Sequence, residues 1–310
     1  MKDLLRISDL TPQDLGLLLD LAEEFSDAPG ESLSLLRHQT VVLYFAKPST
    51  RTRISTETAV VRLGGTPISV GPNELQLNRG ETIADTGRVL GGYAAAITIR
   101  TYADEDVREL AATAPVPVVN ALTDGHHPLQ AVADLLTLKQ HFGTLAGRTI
   151  AYVGAGNNVT NSLMEAAAMA GMNIAVAVPP GYEPGADSIA FAERETELRR
   201  RRLLLTDDPV DAVKGADAVY TDVWLSMGDS ADERAARAAA LTPYQVNRAL
   251  MEQAAGDAVA LHCLPAHRGE EITAEVIDGA RSLVFRQAAN RLPTTQAVLF
   301  ALLTARLAGR

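Results

Sequence analysis

Residues 41–53 read VVLYFAKPSTRTR. A β-type apolar run, 41–45, passes into a polar turn and then into ISTETAVVRLGG, a helical stretch that Gly64 and Gly65 would close. The segment therefore reads strand, turn, helix, and the same alternation recurs outward from it. Apolar runs at 95–99, 116–119, 150–153, 174–178, 203–205, 218–221 and 258–262 read as buried strands, and amphipathic or Ala-rich stretches separate most of them. That pattern predicts an α/β chain with mainly parallel sheets flanked by helices, and ligands at the carboxyl ends of the strands. Residues 128–142 (PLQAVADLLTLKQHF) read as a helix with proline in its first turn. Gly143 and Gly147 then punctuate the chain before a fresh strand, TIAYV. We therefore expect two domains, 1–145 and 146–292, with a last helix over 293–310 packing back on the first.

Composition narrows the function. The 310 residues carry 28 Lys plus Arg against 38 Asp plus Glu, a formal net charge of −10. Such a chain has no global field for nucleic acid or anionic lipid, though a local pocket for a small anion is compatible with it. A single cysteine, Cys263, excludes an intrachain disulfide and a Cys-cluster zinc site. No segment reaches the roughly 18 consecutive apolar residues of a membrane span. The N-terminus, MKDLLRISDLTPQDL, lacks a secretory pattern. A cytoplasmic location is expected.

Three constellations carry chemistry. Ser49, Thr50, Arg51 and Thr52 would open a helix, where backbone N–H groups lack intrahelical partners and the dipole is positive. Such a segment is either an ordinary capped helix with surface arginines or a phosphate cradle. Two arginines in one first turn are unfavourable unless an anion binds there. Arg100 follows the apolar run AAAITI, and His127 and Gln130 flank Pro128 in DGHHPLQ. The set offers donors for a carbonyl oxygen and an amide oxygen for a planar NH2 group. Taken alone, His127 reads equally as structural, and His126 is the adjacent alternative. Asp222 ends the strand AVYT and precedes Ser226 and Met227 in DVWLSMGD. It is either a turn residue or the partner of a ligand ammonium. Cys263 and Leu264 follow the strand AVALH. The thiol is a small buried hydrophobe, a nucleophile, or a group that positions an amine.

GAGNNVTNSL matches a dinucleotide loop poorly, because Val159 stands at the third glycine position and NIAVAVPPG supplies no acidic residue. Asn157 and Asn158 suit a zwitterionic ligand instead. Walker, HExxH and EF-hand patterns are absent, so neither metal nor cofactor is expected.

Taken together, STRTR at 49–53, HPLQ at 127–130, DVWLSMG at 222–228 and HCLPAHRGEE at 262–271 resemble the aspartate/ornithine carbamoyltransferases. The order and spacing agree over nearly the whole chain, and the SMG and HCLP runs resemble the ornithine branch. The resemblance implies one domain for carbamoyl phosphate, one for L-ornithine, and citrulline and phosphate as products. It implies a homotrimer with sites at subunit interfaces. By motif match, Ser49, Thr50, Arg51 and Thr52 hold the phosphate. Arg100, His127 and Gln130 hold the carbamoyl group, and Arg291 in AANRL lies near the same ligand. Gln76 in ELQLNRGET corresponds to a residue lent by a neighbouring subunit. Asn158, Asp222, Ser226 and Met227 bind ornithine, and Cys263 and Leu264 lie where amine meets carbonyl. Arg100, His127 and Cys263 are the implied catalytic set. The sequence departs from the family at Ala289, Thr56 and Leu129. The first two are expected to alter packing near the carbamoyl phosphate pocket, which leaves a carbamoyltransferase for a different amine or diamino acid as the alternative. A non-catalytic protein on the same scaffold would need lost ligands, yet Arg51, His127, Asp222 and Cys263 are all present.

Overall fold

Apolar runs without polar alternation suit parallel strands covered on both faces, and the chain uses them that way. The structure is a computed structural model that describes residues 1–28, 33–224 and 231–308. It forms two compact units, one of Met1–Leu136 with Asn290–Arg310 and one of Thr137–Ala289.

The first unit runs α1 (Pro12–Asp27), β1 (Thr40–Phe45), α2 (Arg51–Arg62), β2 (Thr66–Val70), α3 (Ile83–Tyr93), β3 (Ala96–Arg100), α4 (Asp104–Thr113), β4 (Val118–Leu122) and the start of α5 (Pro128–Phe142). Its four strands are parallel, in the order β2-β1-β3-β4. The chain leaves β1 in one direction for β2 and returns to its other side for β3. The order thus reverses between β1 and β3, and a crevice opens there outside the carboxyl ends. Residue 4 covers the outer edge of β4. Leu4 N–H donates to Val118 O at 3.0 Å, and Asn120 N–H donates to Leu4 O at 2.8 Å.

The second unit continues with β5 (Thr149–Val153), α6 (Asn158–Met169), β6 (Asn173–Ala177), α7 (Ala186–Leu198), β7 (Leu203–Thr206), α8 (Pro209–Val213), β8 (Ala218–Thr221), α9 (Ala231–Leu241), α10 (Arg248–Met251), β9 (Val259–His262), α11 (Ala274–Ile277) and α12 (Val284–Ala289). The final helix, α13 (Arg291–Ala308), belongs to the first unit. The second sheet is also parallel, in the order β7-β6-β5-β8-β9, and its order reverses between β5 and β8. At that point Tyr152 of β5 pairs in register with Tyr220 of β8. Their rings stack with centroids 6.0 Å apart, and both side chains are fully buried. Such a pair contributes about 0.5–1.5 kcal/mol beyond its buried area and stiffens the floor of the switch point.

The α/β class and the two parallel sheets agree with the sequence reading. One strand was not expected: β2 (TPISV) is a half-exposed edge strand with Pro67 inside it, so it lacks the apolar run that marks the buried strands. The packing changes partner inside α5 and again after Ala289. Gly143 and Gly147 follow the end of that helix, before β5. An unbroken helix carries no sequence signal for the point along its length where its neighbours change. No described helix is long and apolar enough to cross a membrane.

Candidate active site

In the first unit the donors gather at the β1/β3 switch point. Phe45 of β1 pairs with Arg100 of β3, and Ala46 N–H donates to Arg100 O at 2.9 Å. The last residue of β3 therefore lies beside the turn that starts α2. Arg100 Nη1 donates to Ser49 Oγ at 3.1 Å. Helix α2 opens with no side-chain cap at Thr50 and no acidic residue in its first turn. Arg53 pairs with Glu57 at 2.9 Å, whereas the charge of Arg51 acts on His127 and Thr52 accepts from Arg291. An uncapped, cation-flanked N-terminus is a poor end for a helix by itself and a good one with an anion bound.

Behind this opening lies a buried polar chain. Arg291, the first residue of α13, donates through Nη2 to Thr52 Oγ1 at 3.0 Å and through Nη1 to Gln130 Oε1 at 2.5 Å. Gln130 Nε2 donates to Asp134 Oδ1 at 2.7 Å, one turn further along α5. Thr52, Gln130, Asp134 and Arg291 are all at most 2% exposed. Asp134 thus fixes which end of the Gln130 amide faces outward: its NH2 is committed to the carboxylate, and its oxygen keeps a second lone pair for another donor. His127, immediately before α5, is also buried, and its pKa lies well below the usual 6.5. Burial is the main cause, followed by the charges of Arg291, Arg100 and Arg51. The imidazole is therefore neutral at pH 7 and works as a hydrogen-bonding group rather than as a cation.

In the second unit the polar side chains gather at the β5/β8 switch point. Asn157 caps α6, its Oδ1 accepting from Val159 N–H at 2.9 Å and Thr160 N–H at 3.0 Å. Its Nδ2 donates to Asp222 Oδ2 at 2.8 Å, which ties the end of β5 to the residue after β8. Next to Asn157, Gly156 lets the backbone of Glu183 and Pro184 pass close by, since an added Cβ would overlap it. Asp222 Oδ1 accepts from Val223 N–H at 2.8 Å and from Cys263 Sγ, beyond β9, at 2.9 Å. The Tyr152 hydroxyl beneath is pushed well above the usual phenol value by burial first and the Asp222 charge second.

The structure thus brings together Ser49, Arg51, Thr52, Arg100, His127, Gln130 and Arg291 in one unit, and Asp222 and Cys263 in the other. Thr50 is exposed at the helix start. Gln76 is exposed on a short turn where Arg79 Nη1 donates to its Oε1 at 3.4 Å. Leu264 follows Cys263 with a left-handed φ of 59°. Asn157 holds Asp222, and Asn158 follows it as the first residue of α6. Ser226 and Met227 lie outside the described residues. His126 is bound to Asp104 at 3.1 Å, away from the role considered for it. Of the departures, Thr56 is buried one turn below Thr52 and donates to the Thr52 carbonyl at 2.7 Å. Ala289 is exposed at the end of α12, so its methyl fills no pocket. Asp134 was missed, although its place four residues after Gln130 on one helix was the available signal.

Among the described residues, two groups have metal-ligand spacing: Asp222, His262 and Cys263, and His267, Glu270 and Glu271. In the first, His262 Nδ1 accepts Leu264 N–H at 2.8 Å and Nε2 faces Glu271 Oε1 at 3.0 Å. No ring lone pair is left for an ion in that arrangement. The second lies mostly exposed on a loop, where acidic groups are common.

These two donor sets, each at a switch point of its own parallel sheet, define a two-unit α/β enzyme architecture. The chain belongs to the aspartate/ornithine carbamoyltransferase family: the carbamoyl-P binding domain of that family matches residues 2–140, and its Asp/Orn binding domain matches residues 146–302. The chain is 52% identical over 304 residues to the ornithine carbamoyltransferase of Carboxydothermus hydrogenoformans, covering 97% of each chain. It is 48% identical over 302 residues to that of Bacillus subtilis, covering 97% of this chain and 94% of the relative. Among solved structures, the ornithine carbamoyltransferase of Pyrococcus furiosus superposes with a TM-score of 0.94 at 45% identity, over 98% of this chain and 97% of that one.

Proposed function

We infer that this enzyme transfers the carbamoyl group of carbamoyl phosphate to the δ-amine of L-ornithine, giving L-citrulline and phosphate. The observation that carries the reading is the buried chain Asp134–Gln130–Arg291–Thr52 behind an uncapped α2 N-terminus, beside a neutral His127. It offers positive charge for a phosphate dianion and aimed neutral donors for a carbonyl. Relatives of nearly equal length that carry the name ornithine carbamoyltransferase support the same reaction.

In this reading Ser49, Thr50, Arg51 and Thr52 hold the phosphate. Arg100 and His127 donate to the carbonyl oxygen, and Gln130 accepts from the carbamoyl NH2. Arg291 keeps Gln130 and Thr52 in place while adding charge. Asp222 pairs with the α-ammonium of ornithine, with Asn157 orienting Asp222, and Asn158 and the Ser226–Met227 segment complete that pocket. The δ-amine must be neutral to attack. Its solution pKa is close to that of lysine, about 10.4, and the cations Arg51, Arg100 and Arg291 favour the uncharged form. Attack forms the new C–N bond. The C–O bond to phosphate then breaks, and the leaving phosphate takes the proton that the nitrogen sheds. Each well-aimed donor to the developing oxyanion contributes about 3 kcal/mol. No covalent enzyme intermediate is needed, so Cys263 and Leu264 position the amine. The assembly in this reading is a cytoplasmic homotrimer serving arginine metabolism, in which the exposed Gln76 reaches the phosphate of a neighbouring subunit.

A different acceptor amine is not favoured. A plain diamine has no α-ammonium and carboxylate to engage Asp222 and Asn157, which are joined by a 2.8 Å hydrogen bond in the second unit. The test is a panel of L-ornithine, L-lysine, 1,4-diaminobutane and L-2,4-diaminobutanoate with carbamoyl phosphate. We expect citrulline from ornithine at a kcat/KM about 100-fold or more above any other amine. Consumption of another amine with no citrulline formed would overturn the reading.

A further inference from the structure

We propose that His262 and Glu271 are positioning residues that preset the Cys263–Leu264 corner of the amine pocket. The proposal rests on the functional reading above for the meaning of that corner, but the contacts that build it are independent of any substrate. His262 ends β9 and is fully buried, as is Glu271. Its Nδ1 accepts the backbone N–H of Leu264 at 2.8 Å. A nitrogen that accepts carries no proton, so the neutral ring bears its hydrogen on Nε2 and donates it to Glu271 Oε1 at 3.0 Å. The same Oε1 accepts from His267 N–H at 2.6 Å, which fixes the carboxylate against the loop beyond the corner. The backbone of His262 is held too, its N–H donating to Gln287 Oε1 at 2.9 Å while Gln287 Nε2 donates to Tyr220 Oη at 3.1 Å.

The consequence falls on the next two residues. Leu264 takes a φ of 59°, a left-handed conformation that a branched side chain seldom adopts without outside help. Its N–H bond to the ring supplies that help. With the backbone turned there, the Cys263 thiol reaches Asp222 Oδ1 at 2.9 Å. Glu271 selects the tautomer, the tautomer holds Leu264, and Leu264 aims Cys263.

Cys263 is the only cysteine of the chain, so its alkylation by iodoacetamide reads this corner directly. Held as a donor to the Asp222 carboxylate, the sulfur is engaged and reacts slowly. His262→Gln can still reach Glu271 but offers no acceptor at the Nδ1 position. We expect it to alkylate about 5-fold or more faster, and to raise the KM for ornithine about tenfold with a smaller change in kcat. Glu271→Gln keeps an oxygen for both donors and should stay within about twofold of the parent on both readouts. Glu271→Ala frees the ring without touching the strand and should follow His262→Gln, which keeps the test decisive if one variant does not fold. Parental alkylation rates in both His262→Gln and Glu271→Ala would overturn the proposal. So would Glu271→Gln reacting as fast as Glu271→Ala, since the carboxylate would then act by charge rather than by selecting the tautomer. If the parent made no citrulline at all, the functional reading would fall while the alkylation result still decided the geometry.

Discussion

Lowering the pH tests the energetics of His127. The folded imidazole resists protonation because it is buried and faces Arg291, Arg100 and Arg51. In the unfolded chain it protonates with an ordinary pKa near 6.5. A folded pKa lowered in this way gives stability that is complete above the unfolded pKa and is lost as pH falls below it, because the unfolded state then binds a proton that the folded state refuses. From pH 6.5 to 5.5 the loss is about 1 kcal/mol, and it approaches about 1.4 kcal/mol for each further pH unit while the folded ring stays neutral. His127→Gln removes the group from both states, so its stability should lack this component. Urea unfolding of parent and variant at pH 6.5 and 5.5 makes the comparison, with the parent losing about 1 kcal/mol more than the variant. Equal losses would mean that His127 titrates in the folded protein as it does in the unfolded chain. The neutral-donor role argued above would then be wrong.

Three other substitutions probe the separate parts. Arg51→Ala removes a charge-assisted contact worth about 1.5–3 kcal/mol at the opening of α2, so calorimetric binding of inorganic phosphate should weaken by about 10- to 150-fold; unchanged affinity would put the anion elsewhere. Asp222→Asn removes the ammonium partner and should raise the KM for ornithine over a similar range, about 10- to 150-fold, without moving phosphate affinity. The reverse pattern would exchange the two pockets. Gly156→Ala places a methyl group against the backbone of Glu183 and Pro184, a destabilisation of about 1–3 kcal/mol. An unchanged melting temperature would show that the loop has room to spare.

The legible parts of this molecule are those where local pattern and tertiary role coincide. The buried strands β1, β3, β5, β8 and β9 are apolar because both faces are covered, so their runs point to a parallel sheet without further information. Helix α5 begins at Pro128 and ends at Phe142, the limits its proline and Gly143 imply. The loops after β1, β3, β8 and β9 fall at strand carboxyl ends, which is why Ser49, Arg51, Thr52, Arg100, Asp222 and Cys263 were accessible as candidates from spacing alone. Strand β2 was hidden because an exposed edge has no need of an apolar run. That Asn157 caps α6 and also ties Asp222 depends on the dihedral angles of a helix cap, which a sequence does not print. Asp134 and Glu271 act through other side chains. Their importance lies in which lone pair or tautomer they select, a property of three-dimensional pairing that no spacing records.

The central claim is that a small phosphate-bearing ligand docks at the N-terminus of α2 with its carbonyl against His127 and Arg100. A crystal structure with phosphonoacetamide, a non-hydrolysable mimic of carbamoyl phosphate, tests it most directly. Phosphonate oxygens are expected on the 49–52 amides, Arg51 and Thr52, with the amide oxygen against His127 and Arg100 and its NH2 against Gln130. Phosphonate bound at another location, with the α2 opening empty at a concentration that saturates the protein, would contradict it.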